Sequence, residues 1–335
     1  VAENTYGDIS LNTAGGMKAL MLRVAAPQVI TARFGQTKSL PRNSGKDVPF
    51  TRYHALTAAT APLIDGVNPS GQPIRKTDLT IHMEEYGDFV PITSQVKDLH
   101  TDDVLRQVTL RSGDAIAETV EKVNLAVLKG GTSVFYANGV ANRAALTSGP
   151  KRGDLRKIVR FLRRQRAKPH TRMVKATTAY GTEPIAPAFV GIMHVDLIDA
   201  FKDLPGFTPV EKYSDSDKAL PFEVGKLEEI RFCATTFCDP WKNVGVSGGT
   251  YITGGGEGTG TADSYPVIIT GQDAYATIAL AGKGRVTPTV RNPKPQASDE
   301  LGRSGSIGWS MYHTCGILNQ LWMTRYECCA LQDPS

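Results

Sequence analysis

Two extended runs and one long helix dominate the first half of the chain and limit what it can fold into. Val48, Phe50, Arg52, His54 and Leu56 alternate with Pro49, Thr51, Tyr53 and Ala55, the period of two that marks a strand. Leu79, Ile81 and Met83 alternate with Thr80, His82 and Glu84 on the way back. The runs Lys46–Leu56 and Thr77–Ile92 flank a connection carrying Pro62, Gly66, Pro69, Gly71 and Pro73, so the segment reads as one long hairpin. Pro49 has no N–H to give a ladder and assigns its strand to an edge. The helix that follows, roughly Asp102–Ser133, opens on the capping cluster Thr101-Asp102-Asp103 and carries Ile116, Val120, Val123 and Val127 at helical spacing. Gly113 weakens it, so a bend is expected there, and Gly130-Gly131 ends it. A two-stranded ribbon is marginal in water without something to pack on. The opening arm, with one helical stretch at Gly16–Val24 and a polar, turn-rich segment Arg33–Asp47, adds little core. Burial for this half is therefore expected from other copies of the chain.

From about Asn142 the pattern changes to alternating helix and buried strand. Asp154–Ala167 carries the apolar stripe Leu155, Ile158, Val159 and Leu162. Ala188–His194 is a short continuous apolar run, the mark of a strand buried on both faces. Asp196 is placed to cap a helix Leu197–Leu204, and Pro266–Thr270 and Thr277–Ala281 read as further strands. The glycine-rich stretch Gly245–Gly260 reads as a mobile surface loop. Ser304–Glu327, dense in apolar and aromatic residues, reads as strands returning into a core. The fold class is α+β.

Chemistry-bearing patterns fail on inspection. Gly245-Val246-Ser247-Gly248-Gly249 matches the nucleophile-elbow spacing, but that motif needs a helix after it, and the glycines of Thr250–Gly260 do not allow one. His194, Asp196 and Asp199 fit a strand end and a helix start better than a metal cluster. Glu84-Glu85 and Asp102-Asp103 point to different sides of their elements and form no acid–base dyad. No nucleotide-binding glycine motif occurs. Hence no catalytic residue, cofactor or metal is expected. The five cysteines, Cys233, Cys238, Cys315, Cys328 and Cys329, lack zinc-site spacing and are expected to be reduced thiols. No apolar run reaches the roughly eighteen residues of a membrane span, and the opening VAENTYGDIS resembles no signal peptide, so no membrane partner is expected.

One charge feature stands out. The net charge is only +5, yet Lys151–Arg172 holds ten basic residues against Asp154 alone. With Leu155–Leu162 buried, Arg156, Arg160, Arg163, Arg164 and Arg166 must cover the exposed surface. Such a face attracts phosphate or an acidic protein surface. Only Phe161 interleaves it, which argues against base stacking on single strands.

Several short stretches, in their order along the chain, carry a family resemblance: TYGDIS at Thr5–Ser10, RFGQTKSL at Arg33–Leu40, YGDFVPIT at Tyr86–Thr93 and FYANG at Phe135–Gly139. EPIAPAFVGIMHVDL at Glu183–Leu197, LPGFTPVEKY at Leu204–Tyr213, YPVIITGQDAY at Tyr265–Tyr275 and Gly305–Glu327 complete the set. The chain resembles tailed-phage major capsid proteins of the Hong Kong 97-type fold, nearest to the branch typified by a lytic coliphage that packages its own RNA polymerase. The resemblance implies an N-arm (1–39), an E-loop (40–92), a P-domain with the spine helix (93–142), an A-domain (143–300), and returning P-domain strands with a C-terminal tail (301–335). It implies hexamers and pentamers of the chain in an icosahedral shell around packaged double-stranded DNA, located in the virion and assembled in the host cytoplasm. Portal and scaffolding proteins are the further partners it implies, and Gly245–Ser264 and the Cys328-Cys329 tail are candidate seats for a decoration protein. Val48, Phe50, Leu79 and Ile81 of the E-loop would then touch a neighbouring subunit, and the basic run would face DNA or that neighbour. The lysine–asparagine cross-link motif of the founding member is not matched, which leaves Lys76 unassigned. Two rival readings use the same residues: an encapsulin-like shell around an enzyme cargo, and a cytosolic nucleic-acid-binding protein acting through 151–172.

Overall fold

The computed structural model describes residues 20–21, 29–41, 43–60, 62–63, 65–66, 68, 71–93, 104–172, 184–213, 220, 222–246, 251–253, 261–281, 286–291 and 301–332. The expected cap at 101–103, most of the arm helix at 16–24, and Ser247 lie outside them. The helices are α1 (Thr31–Phe34), α2 (Val104–Lys129), α3 (Arg152–Arg164) and α4 (Ile198–Lys202). The strands are β1 (Gln36–Leu40), β2 (Asp47–Tyr53), β3 (Lys76–His82), β4 (Glu84–Thr93), β5 (Val134–Tyr136), β6 (His170–Arg172), β7 (Pro184–His194) and β8 (Thr208–Pro209), then β9 (Glu223–Leu227), β10 (Ile230–Thr235), β11 (Tyr265–Thr270), β12 (Tyr275–Leu280), β13 (Val286–Arg291), β14 (Ser304–Ile317) and β15 (Met323–Cys328).

The 26-residue α2 spans about 39 Å and runs unbroken through the buried Gly113. It belongs to two cores. Ile116 and Ala117 pack with Met21, Ile92, Ile307, Trp309 and Met311 against the five-stranded sheet. Leu125 and Leu128 pack with Val190, Ile192, Cys233 and Ile268 under the eight-stranded one. The alternation in β7 explains the second contact. Phe189 and Met193 face α3, whose Leu155, Ile158 and Leu162 cover that side, whereas Val190 and Ile192 face α2. Both faces are buried, which is why the run is continuously apolar. The sheet order is β5-β15-β11-β7-β10-β9-β8, with β6 also on β7 and parallel pairs at β7–β10 and β5–β15.

In the five-stranded sheet, β14 is the common partner. Ser304–His313 pairs with β4, Ser306–Met311 with β13, and His313–Ile317 with β12, on whose far side β1 lies parallel. The polar segment Arg33–Asp47 thus contains a strand that its exposed side chains concealed. Sheet membership also cuts across the ranges implied by the resemblance. β12 and β13, from 143–300, join β4 and β14, whereas β15, from 301–335, joins the eight-stranded sheet.

Two further expectations are corrected. The returning run Thr77–Ile92 is two strands, because at Met83 the chain leaves β2 and takes β14 as its partner. His194, and not Asp196, caps the turn that begins at Val195: its Nδ1 accepts from the Asp196 N–H at 3.2 Å. Asp196 instead accepts from the Tyr265 hydroxyl at 2.8 Å. The ends of the glycine-rich stretch are pinned through Trp241–Ser264, Tyr251–Leu331 and Thr253–Ala262 bridges. All five cysteines are free and buried. Cys328 and Cys329 lie in the α3-side core, which removes them as a docking seat.

Buried polar groups tie the pieces together. Glu121 accepts from the backbone N–H groups of Ile30 and of Thr31 (2.8 Å), and Asn124 donates to the Thr31 hydroxyl at 2.8 Å. His313 meets Asn124 at 2.7 Å, and the Tyr275 hydroxyl donates to the Thr31 carbonyl at 2.5 Å. The node joins α1, α2, β12 and β14. Burial outweighs the amide hydrogen bonds and pushes the Glu121 carboxyl up to about 6. The folded state therefore holds this proton more tightly than the unfolded chain, whose carboxyl titrates near 4.5. The resulting stability is complete below pH 4.5 and is lost as pH rises through 6, a swing of about 2 kcal/mol. In urea titrations across that range, the stability difference between wild type and Glu121→Gln is expected to change by that amount. A pH-independent difference would refute the assignment.

Just beyond the C-terminus of α2, Glu327 is fully buried between Arg143 (2.6 Å) and Arg325 (2.8 Å). The Ser264 hydroxyl donates to it at 3.1 Å, and the Arg143 guanidinium lies 3.6 Å from the Trp241 ring centre. Arg325 donates to the Lys129 and Gly131 carbonyls and so covers the helix C-terminus.

Candidate assembly surface and basic groove

β2 and β3 form a two-stranded antiparallel ribbon with Val48 opposite Ile81 and Phe50 opposite Leu79. The four divide by position. Val48 and Ile81 are buried within the chain itself, with Leu40, Met83 and Ile278. Gly316 makes room for this, since a Cβ there would sit 2.2 Å from Ile81 Cδ1. Their apolar surface is already covered, so their expected contact with a neighbour is corrected. Phe50 is half-buried under the Lys38 ammonium, 4.6 Å from the ring centre, and Leu79 is exposed.

Beyond Tyr53 the ladder ends, and a single bond from the His54 N–H to the Arg75 carbonyl (2.9 Å) continues it. The Gln72 side chain replaces the missing strand, accepting from Thr57 N–H and donating to Thr57 C=O, each at 3.0 Å. Outside any core lie Tyr53 (68% exposed), Leu56 (61%), Leu63 (76%) and Ile74 (71%). A cluster of large apolar groups at the end of an arm is the surface of something meant to be covered.

The second surface is on α3. Arg156, Arg160, Arg163 and Arg164 line an open groove of about 460 Å³ whose floor is Val159 and whose rim carries Glu228 and Glu229. These two carboxylates form the tight turn between β9 and β10, with Glu228 at φ +55°, a conformation uncommon for glutamate. Glu228 meets Arg152 at 2.6 Å and Arg156 at 2.9 Å, and Glu229 meets Arg163 at 2.5 Å. Those arginine hydrogen bonds hold the Glu228 carboxyl below the usual carboxylate range. Arg160 and Arg164 are exposed and have no acidic partner among the described residues. Arg166 stands outside the groove. It occupies the left-handed position after the helix (φ +55°), and the Ala167 N–H returns to the Leu162 carbonyl at 3.0 Å.

The sequence matches the phage capsid protein family over residues 76–323, well over half of the chain. The chain belongs to the phage capsid protein family. The match takes in β3, β4, α2 and the basic groove. The capsid of Ralstonia phage GP4 is similar in structure at TM-score 0.69 and 11% identity, over 91% of this chain and 89% of that one. The head structure of Helicobacter pylori bacteriophage KHP40 is similar at 0.61 and 11% identity, over 91% and 90%. A virus-like particle from Pyrococcus furiosus is similar at 0.50 and 10% identity, over 93% and 98%. No match was found among curated proteins. This capsid protein is a structural shell protein of a phage with the Hong Kong 97-type fold.

Four of the five arginines singled out in the capsid protein's sequence come together in one groove. Glu228 and Glu229, which determine the groove's charge, were missed because they approach from a turn more than sixty residues away. Glu121 and Asn124 could have been found. They lie on the apolar stripe of α2, four residues from Ala117 and Leu128 respectively. Among the described residues, no group of three or more His, Cys, Asp or Glu could hold a metal ion, and no helix is long and apolar enough to cross a membrane.

Proposed function

We propose that this chain is the major capsid subunit of a tailed phage, closing as hexamers and pentamers into an icosahedral shell around double-stranded DNA. In this reading the β2–β3 arm is the E-loop, α2 is the spine helix, and the α3-covered sheet is the core of the A-domain. The subunit assembles in the host cytoplasm with portal and scaffolding proteins, ends in the virion, and performs no chemistry. Its branch is the one typified by the coliphage that packages its own RNA polymerase. One observation carries the reading: a member of the phage capsid family extends an arm whose apolar end its own fold leaves uncovered. The driving force is burial of that surface on another copy, supplemented by strand pairing along the ribbon's open edges.

Electron microscopy of purified protein, followed by nuclease treatment and extraction, tests this. Closed icosahedral particles with nuclease-protected DNA are expected from infected cells. Particles that protect an enzyme and no DNA would instead establish a cargo shell. Soluble small oligomers with salt-sensitive DNA binding would establish a cytosolic nucleic-acid binder.

A further inference from the structure

The α3 groove has a chemical counterpart elsewhere on the same chain. On β4, which lies at the edge of its sheet beside β14, Glu85 and Phe89 (67% exposed) project from one face and Glu84 and Asp88 from the other. None of the three carboxylates has a cationic partner among the described residues. Glu85 accepts only from the Tyr312 hydroxyl at 2.9 Å, and Asp88 from the Phe89 N–H at 2.8 Å. Asp47, Asp78, Asp114 and Glu118, by contrast, are already matched, with His82, Lys76, Arg111 and Lys122. A strand edge that carries an exposed aromatic ring and carboxylates is what an arginine-lined groove accepts. Guanidinium groups take carboxylates in paired hydrogen bonds and take a ring by its face. Arg160 and Arg164 are the groove's unmatched cations.

One feature of the groove favours this occupant over nucleic acid. Val159 on its floor gives an apolar contact that phosphate cannot use. The two surfaces cannot meet within one chain. α3 covers the face of the eight-stranded sheet turned away from α2, and β4 belongs to the other sheet, against the first half of α2.

We propose that the acidic strip Glu84–Phe89 of one subunit docks in the α3 groove, at Arg160 and Arg164, of a second copy of this chain. The proposal rests on the capsid reading and names a contact within it. The contact joins unlike surfaces, and a head-to-tail contact of that kind closes rings.

The test is a charge exchange followed by sedimentation and electron microscopy, with circular dichroism as a check on folding. Wild type must form closed shells; if it does not, the capsid reading fails first and separately. Arg160→Glu with Arg164→Glu, and Glu84→Lys with Glu85→Lys and Asp88→Lys, are each expected to lower shell yield by about tenfold or more. One chain carrying all five changes is expected to recover closed shells, because attraction is restored with its sign inverted. Recovery also shows that the separate variants failed through charge and not through misfolding. Normal shells from either separate variant would overturn the pairing, as would failure of the combined chain to recover. Normal shells that lose protected DNA in the Arg160→Glu, Arg164→Glu variant would assign the groove to DNA instead.

Discussion

Joining Tyr53 directly to Lys76 through an Asn-Gly turn is expected to give a folded, soluble subunit that forms no closed shells. The two residues are partners in the ribbon register, so a two-residue turn fits the twist of the strands at that point. The shortened arm keeps Val48 and Ile81 in their small core with Leu40, Met83 and Ile278, and the subunit's own stability should hardly change. What disappears is the exposed apolar end, Leu56, Leu63 and Ile74, together with the Gln72–Thr57 clasp that shapes it. Each such side chain is worth about 1.5–3 kcal/mol when fully buried, and the loss recurs at every subunit contact in a shell. Sedimentation and electron microscopy decide the matter. Normal shells from the shortened chain would remove the arm from the assembly surface.

Glu327→Gln is expected to destabilise the subunit by about 3 kcal/mol. The carboxylate is fully buried and serves two arginines and a serine hydroxyl at once. An amide keeps the shape but leaves Arg143 and Arg325 charged and short of acceptors in a poorly solvated site. Arg325 also covers the end of α2, so the loss should loosen the junction between that helix and β15. The urea midpoint of the dissociated subunit measures it, with Glu118→Gln, whose Lys122 pair is about half exposed, as the control. A shift no larger than the control's would show that the buried cluster contributes nothing.

Periodicity made faces legible and partners illegible. The alternation of Leu79, Ile81 and Met83 gives no sign that the strand exchanges β2 for β14 at Met83, where the covered positions change to Tyr86 and Ile92. Likewise Val48 and Ile81 read correctly as apolar contact residues and wrongly as contacts to another copy. A hydrophobic pattern records that a side chain is covered, never which molecule covers it. The basic helix was plain from its apolar stripe, but its charge state was not. Three of its arginines are committed to glutamates brought in by a distant turn, which leaves two for a partner. Glu121 was visible as a carboxylate on an apolar stripe. Glu327 carried no such mark, since a single glutamate within a strand gives no sign of which face is wet.

That α2 is built into both cores has a mechanical meaning. A continuous rod fixed at Ile116 under one sheet and at Leu125 under the other transmits a turn of either sheet to its neighbour. The two sheets are therefore expected to move as a single block when the subunit is pushed. In the proposed shell, adjustment to neighbours at different angles would then fall to the β2–β3 lever, anchored at its base by Val48, Ile81 and the bond from Met83 N–H to the Lys46 carbonyl.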